Sequence, residues 1–337
     1  MRVLLDTTYA LRGPSGTGVY LRRLSDALLR DGIEVVEAAD EGRPAPAGGG
    51  AGSARNLARD TWWTQVELPR RARDVRADVL HHPLPALALR APCAQVVTVH
   101  DLAFERLPDC FAPGFRRWAS ITHRRAARGA DGVVCVSQTT RSDALARWGL
   151  DPARIVVAPH GAGQEPHVAD VTPEHFLYVG DDEPRKNLRL LLDAHARYRR
   201  LAGDDALDLV LAGRARTQQA GVRCEPEPQL AALLAGAAAL VHPSLHEGFG
   251  LTPLEAMYAG VPVIAARSPG LTETCADAAL YVDPFDAQAL AQALARVVAD
   301  RELSAGLAAR GVARAAQFSW RASARAHIAA YTLAQDG

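Results

Sequence analysis

Two glutamates, Glu247 and Glu255, stand eight positions apart in the stretch 246–262, HEGFGLTPLEAMYAGVP. Between them lie Gly248, Phe249 and Gly250, then Leu251 and Thr252, and the stretch closes on Gly260 and Pro262. The apolar run just upstream, Ala237 to Val241, reads as a buried strand. Thr252 is placed to cap a helix that stops at Gly260. A strand, a glycine turn and a helix N-terminus together offer backbone N–H groups to an anion. A carboxylate such as Glu255 accepts two hydrogen bonds from a cis-diol, which is what a ribose presents. Glu247, nearer the anion, is placed to accept from the hydroxyls of a sugar attached to it. The plainer reading is an ordinary strand-to-helix connection with two solvated glutamates.

Other groups of the right type lie elsewhere in the chain. The sequence holds 37 arginines and one lysine, Lys186. Its richness in Ala, Arg and Gly points to a coding bias that replaces lysine wherever arginine serves, so the surviving lysine is marked as one needed for itself. Lys186 follows Arg185 at a helix start, and this cation pair opposite a helix N-terminus suits a diphosphate. Gly13-Pro-Ser-Gly16-Thr-Gly18 forms a glycine loop between a strand and a helix. It is neither the dinucleotide fingerprint nor a Walker sequence. Gln95 to Val99 is a β-branched strand that delivers His100 and Asp101 at its carboxyl end, where α/β proteins place their chemistry.

These groups need elements to hold them. Arg2–Asp6, 77–82, 95–100, 132–137 and 155–158 read as strands alternating with helices. The chain breaks into a Pro/Gly-rich segment up to Pro166, and the alternation restarts with strands at 176–180, 208–213, 237–241, 261–265 and 278–282. Two βα series imply two doubly wound parallel sheets. The expected domains are 1–162, then 163–316, with 317–337 as a last helix packing back on the first domain. Residues 42–53 read as a flexible low-complexity loop. Residues 115–128 form a basic helix bearing Arg116, Arg117, Arg124, Arg125 and Arg128. Its cations read as a solvated face, with contact to an anionic membrane or an acceptor as the alternative.

Composition narrows the class. At 337 residues the chain exceeds a usual single core, and its net charge of zero gives no reason to expect nucleic acid as a partner. Asp6 interrupts the apolar run at the N-terminus, so no signal peptide is expected. The apolar stretch from Leu230 to Val241 is too short to cross a bilayer. Five scattered cysteines without a CxxC pair fit reduced thiols in a cytoplasmic protein.

Taken together, Glu247 and Glu255 with Phe249-Gly250 between them, Arg185-Lys186-Asn187 after a Val-Gly strand end, Pro159-His-Gly and His100-Asp101 resemble the retaining glycosyltransferases of family 4. The resemblance covers nearly the whole chain. It implies an α/β GT-B fold, two Rossmann-like domains facing a cleft. It places Glu255 on the donor ribose, Glu247 on the donor sugar, and the Gly248, Phe249, Gly250, Leu251 and Thr252 amides near the phosphates. Arg185 and Lys186 become the diphosphate clamp, the Gly16–Gly18 loop closes on the donor, His100 sits at the reacting face and Asp101 beside it contacts sugar or acceptor. The stretch around Trp62, Gln65, Leu68 and Pro69 is similar to members that transfer mannose or related hexoses. The implied reaction moves a hexosyl group from a nucleoside-diphosphate sugar, GDP-mannose or a UDP-sugar, to a glycan, lipid-linked or small-molecule acceptor. Neither a cofactor nor a metal is expected, and the chain has no DxD. One departure is a shortened region at 214–236, where the nucleobase is usually framed. A nucleotide-sugar 2-epimerase and a non-catalytic nucleotide-sugar or glycan binder are the alternatives.

Overall fold

The computed structural model describes residues 1–11, 15–43, 50–163, 173–226 and 228–336, with residues 50–54 described by their backbone. Two compact units divide it. The first comprises Met1–Glu105, Ala112–His160 and Ser319–Gly337, and the second comprises Arg106–Phe111 and Gly161–Phe318.

The first unit is built on β1 (Arg2–Asp6), β2 (Glu34–Ala38), β3 (Val79–His82), β4 (Ala94–Val99), β5 (Gly132–Cys135) and β6 (Ile155–Val157), in the order β2-β1-β3-β4-β5-β6. Every neighbouring pair is parallel. The inner strands β3 and β5 are buried along their whole length, whereas the edge strand β2 carries exposed Glu34 and Glu37. That contrast is what a sheet covered by helices on both faces requires. The helix Gly16–Arg30 buries Tyr20, Leu21, Leu24 and Leu28, a helical spacing that seats one stripe on the sheet.

The helix Trp320–Asp336 belongs to this unit and packs on β3, β4, β5 and β6. It buries Ala324, Ala330, Tyr331 and Ala334 together with the polar Ser323 and His327. Both ring nitrogens of His327 are satisfied by a directed chain of hydrogen bonds. His327 Nδ1–H donates to the Ser323 carbonyl at 2.8 Å, so Nε2 of the neutral ring accepts from the Tyr20 hydroxyl at 3.0 Å. Tyr20 then accepts from Thr98 Oγ1 at 2.9 Å. Thr98 accepts from His81 Nε2–H at 2.8 Å, and His81 Nδ1 accepts from the Tyr331 hydroxyl at 2.8 Å. Each proton has one place to go, and the last helix is stitched to the helix Gly16–Arg30 through His327 and to β3 through Tyr331.

The second unit repeats the architecture with β7 (His175–Val179), β8 (Asp208–Ala212), β9 (Val222–Glu225), β10 (Ala237–His242), β11 (Val263–Ala266) and β12 (Ala279–Val282), ordered β12-β11-β10-β7-β8-β9, all parallel. Strand order reverses between β7 and β10, and such a switch point opens a crevice at the strands' carboxyl ends. The 214–236 region keeps a four-residue edge strand, β9, and a six-residue helix, Leu230–Ala235.

Three local expectations are corrected. The expected loop 42–53 falls partly outside the described residues, and residues 50–53 open the helix Gly50–Trp62. Alanines and Arg55, Leu57 and Arg59 downstream are strong helix formers and carry the glycines into the first turn. Gly16 and Gly18 stand in the first turn of the helix Gly16–Arg30 rather than in a loop, because Ser15 is the N-cap and its Oγ accepts from Gly18 N at 3.1 Å. Thr252 is not a cap either: the helix Leu251–Tyr258 is preceded by Gly250 at φ 100°, and Thr252 is its second residue.

Candidate active site

The second unit gathers most of the predicted residues at its switch point. After β7, the chain turns through Gly180 and Asp181 into a 3-10 turn, Pro184–Lys186, and Asn187 comes next in the left-handed conformation at φ 57°. Asparagine tolerates that conformation. Its Nδ2 donates to the carbonyls of Pro243 at 3.3 Å and Pro284 at 2.7 Å, and Leu245 N donates to Arg185 O at 2.8 Å. The turn bearing Arg185 and Lys186 is thereby fastened to the loop that leaves β10.

On that loop Glu247 is buried and meets three donors. Lys186 Nζ reaches its Oε1 at 2.6 Å, His242 Nε2 the same oxygen at 3.1 Å, and Arg185 Nη1 its Oε2 at 3.4 Å. Burial opposes the charge on Glu247, but Lys186, the His242 hydrogen bond and Arg185 outweigh it and hold the carboxyl well below the usual range. Arg185 also pairs with Glu183 at 2.9 Å, and Asp181 is held as a carboxylate by Arg214. Asp181 and Glu183 are therefore spent on arginines.

Gly250 and Gly270 shape the turn between Glu247 and the helix Leu251–Tyr258. A side chain at Gly250 would be strained at φ 100°, and a Cβ at Gly270 would stand 1.9 Å from the Glu247 carbonyl. The helix buries Pro253, Leu254, Glu255, Ala256 and Met257. Pro253 has no N–H and Leu254 N already bonds Gly250 O at 3.1 Å, which leaves Leu251 and Thr252 as the first-turn amides able to meet an anion. Glu255 lies 4% exposed, one turn into this helix. Phe249 is buried against Phe318, ring centroids 5.6 Å apart.

His242 was not among the residues read from the sequence. It is the last residue of β10, the same station that drew attention to His100, so the signal was present. The apolar run before it simply ended one residue short.

The first unit holds His100, Asp101, Gly16 and Gly18. His100 comes directly after β4, and its Nε2–H donates to the Pro83 carbonyl at 3.0 Å. Burial lowers its pKa, so the ring is neutral and Nδ1 is an acceptor. The Tyr20 ring stands edge-on to it, centroids 5.0 Å apart. Asp101 Oδ1 accepts from Ala103 N at 2.9 Å. Gln65 bonds Leu87 O and Leu89 N, at 2.8 and 2.9 Å, while Leu68 and Pro69 are buried beneath. These residues brace the segment that precedes β4.

The family model for glycosyl transferases group 1 matches residues 163–314, and that for glycosyltransferase family 4 matches residues 14–163. The O-antigen chain mannosyltransferase B of Escherichia coli is 30% identical over 292 residues, which cover 77% of this chain and 76% of that protein. The chain belongs to the family 4 glycosyltransferases. Its fold is theirs as well. A sucrose-phosphate synthase from Thermosynechococcus elongatus superposes with a TM-score of 0.79 at 21% identity, covering 98% of both chains. Anabaena HepE in complex with UDP-glucose does so with a TM-score of 0.72 at 18% identity, again over 98% of both. The two Rossmann-like units are those of a GT-B glycosyltransferase. Neither epimerisation nor a purely binding role is favoured by these relatives.

Proposed function

We propose that this glycosyltransferase moves a hexosyl group from a nucleoside-diphosphate sugar to an acceptor hydroxyl, with retention of configuration and without a metal. The observation that carries the reading is the cluster of Arg185, Lys186 and Glu247 beside the first-turn amides of Leu251 and Thr252. In the proposed donor complex the diphosphate takes over the two cations and accepts from those amides. Charge that grows on the departing phosphate is met by Arg185 and Lys186, the work a metal performs elsewhere. Glu255 accepts from the ribose hydroxyls and Glu247 from the sugar's. His100 Nδ1 accepts a hydrogen bond from a hydroxyl of the sugar near its reacting carbon or of the acceptor, and Asp101 and Gly16 assist from the same unit.

The family resemblance supports GDP-mannose or a UDP-sugar as donor, and so do the mannosyltransferase relative and the UDP-glucose that HepE holds. We place the enzyme on the cytoplasmic face, with the basic helix Pro113–Gly129 touching the membrane. Among the described residues no helix is long and apolar enough to cross one. Proton NMR of the transfer product in the presence of a chelator tests the reading. The expected result is unimpaired formation of a product that keeps the donor's anomeric configuration. An inverted product, or activity that requires added divalent cation, would overturn it.

A further inference from the structure

Glu247 has three donors, and they differ in what else they can do. Arg185 and Lys186 lie on a turn and are partly exposed, so an entering phosphate competes with Glu247 for both. His242 cannot be drawn away. It is fixed in the sheet as the end of β10, with 2% of its side chain exposed. A carboxylate oxygen only accepts, so the contact at 3.1 Å puts the proton on Nε2. Burial keeps the ring neutral, and Nδ1 is then a bare nitrogen; it is buried and has no hydrogen-bond partner among the described residues. Ser244 Oγ stands 3.2 Å from Nε2 as a second acceptor of the same proton. The tautomer is set by Glu247 and Ser244 alone.

We propose that His242 is a positioning residue for the transfer step: its Nε2–H keeps the Glu247 carboxylate aimed when Arg185 and Lys186 turn to the donor's diphosphate. The inference rests on the proposed donor site. Once the phosphates hold both cations, Glu247 is a buried carboxylate whose one fixed donor is His242. Without that donor it turns away or takes up a proton, since a buried charge without a partner is costly. The neighbouring titratable groups offer no positive charge: Asp182 and Glu183 precede the cations on their loop, and Tyr178 is the last but one residue of the adjoining strand β7. None of them supplies a donor bond to Glu247 among the described contacts.

Three substitutions separate this role from simple packing. His242→Leu keeps bulk and removes the donor. His242→Asn is polar but too short to reach Glu247, and His242→Gln returns an N–H near the place of Nε2. Each full-length variant is assayed with UDP-glucose and GDP-mannose, reading nucleoside diphosphate release and the pH profile of kcat. Leu and Asn should lower kcat by about 10²-fold, the cost of misplacing a positioning group, with donor KM within a few-fold. The acid limb of kcat should move upward, because Glu247 then protonates more readily. Gln should restore most of kcat and the wild-type limb. Wild-type kcat and limb in Leu and Asn would overturn the proposal, as would a Gln variant as slow as Leu when all three melt like the wild type. Glu247→Gln is the control. Full activity there removes the donor-site reading itself, whereas a slow Glu247→Gln beside a normal His242→Leu removes the role of His242 alone.

Discussion

Lys186 and Glu247 form a part-buried ion pair, Nζ to Oε1 2.6 Å, and it joins the chain's one lysine to the first of its paired glutamates. In the proposed donor site this pair is closed on itself: the cation assigned to phosphate is occupied by the carboxylate assigned to sugar. Donor binding must exchange these partners, and the carboxylate must be left in place afterwards. Breaking such a pair by deleting one member leaves the other charge uncompensated.

Lys186→Ala should therefore lower kcat by about 10²–10³-fold, the range seen when one stabilising donor is lost. Lys186→Arg should recover little, since the planar guanidinium is not a point charge and Arg185 already fills the neighbouring place. Steady-state kinetics check both. A fully active arginine variant would show that the lysine is unspecific.

His100 acts as an acceptor through Nδ1 if the Pro83 carbonyl keeps its Nε2 proton. His100→Ala should cost about 10²-fold or more in kcat with a donor Kd within a few-fold. Comparing turnover with calorimetric donor binding decides the matter. Equal loss in the two would take His100 out of the reacting centre.

The buried histidines of the first unit make its stability fall on acidification. Burial pushes His82 and His327 down to about 4 from an ordinary 6.5, and holds His81 and His160 well below that ordinary value. Between about pH 6.5 and 4 the unfolded chain therefore binds protons that the folded chain refuses, and stability declines with pH across that window. His82 and His327 contribute up to roughly 3 kcal/mol each over the full interval. Urea midpoints should drop between about pH 7 and pH 5, and less steeply in His327→Gln, which cannot titrate. A midpoint that holds or rises on acidification would contradict the hydrogen-bond chain through His327, Tyr20 and His81.

How much of this could be read beforehand varies with the range of the interaction. The strand Ala237–His242 and the helix after Gly250 come from an apolar run, a glycine and a stop, all local signals. Lys186 stood out by scarcity. The Ser15 cap was hidden because two glycines around Thr17 look like a loop, and only the Oγ-to-Gly18 bond turns them into a first turn. Tyr20 and His327 are 307 positions apart, and no pattern within either segment announces their bond. The division of Glu247 among three donors is likewise a product of the fold. Its residue type was legible, its partners were not.

The helix Pro113–Gly129 offers a separate test. It carries five arginines and no acidic residue, and Phe115, Trp118 and Ile121 are 46%, 41% and 49% exposed, spaced three apart among exposed Arg117, Arg124 and Arg125. An apolar wedge among cations suits an anionic lipid surface, each surface cation adding about 1 kcal/mol. The protein should sediment with phosphatidylglycerol vesicles and not with neutral ones. The double variant Phe115→Ser, Trp118→Ser should release it several-fold while donor binding is unchanged. Equal sedimentation with both vesicle types, or no effect of the variant, would speak against this face.

The proposed donor site in the second unit is tested most directly by thermal shift with UDP-glucose, GDP-mannose and a dTDP-sugar. At a donor concentration about 100 times Kd, binding to the folded state adds about 2.7 kcal/mol, visible as a raised melting temperature. At least one donor should raise it in the wild type, and Glu255→Ala and Lys186→Ala should each abolish the shift, measured against the same variant's melting temperature without donor. No shift with any donor, or a shift that survives in both variants, would contradict the account.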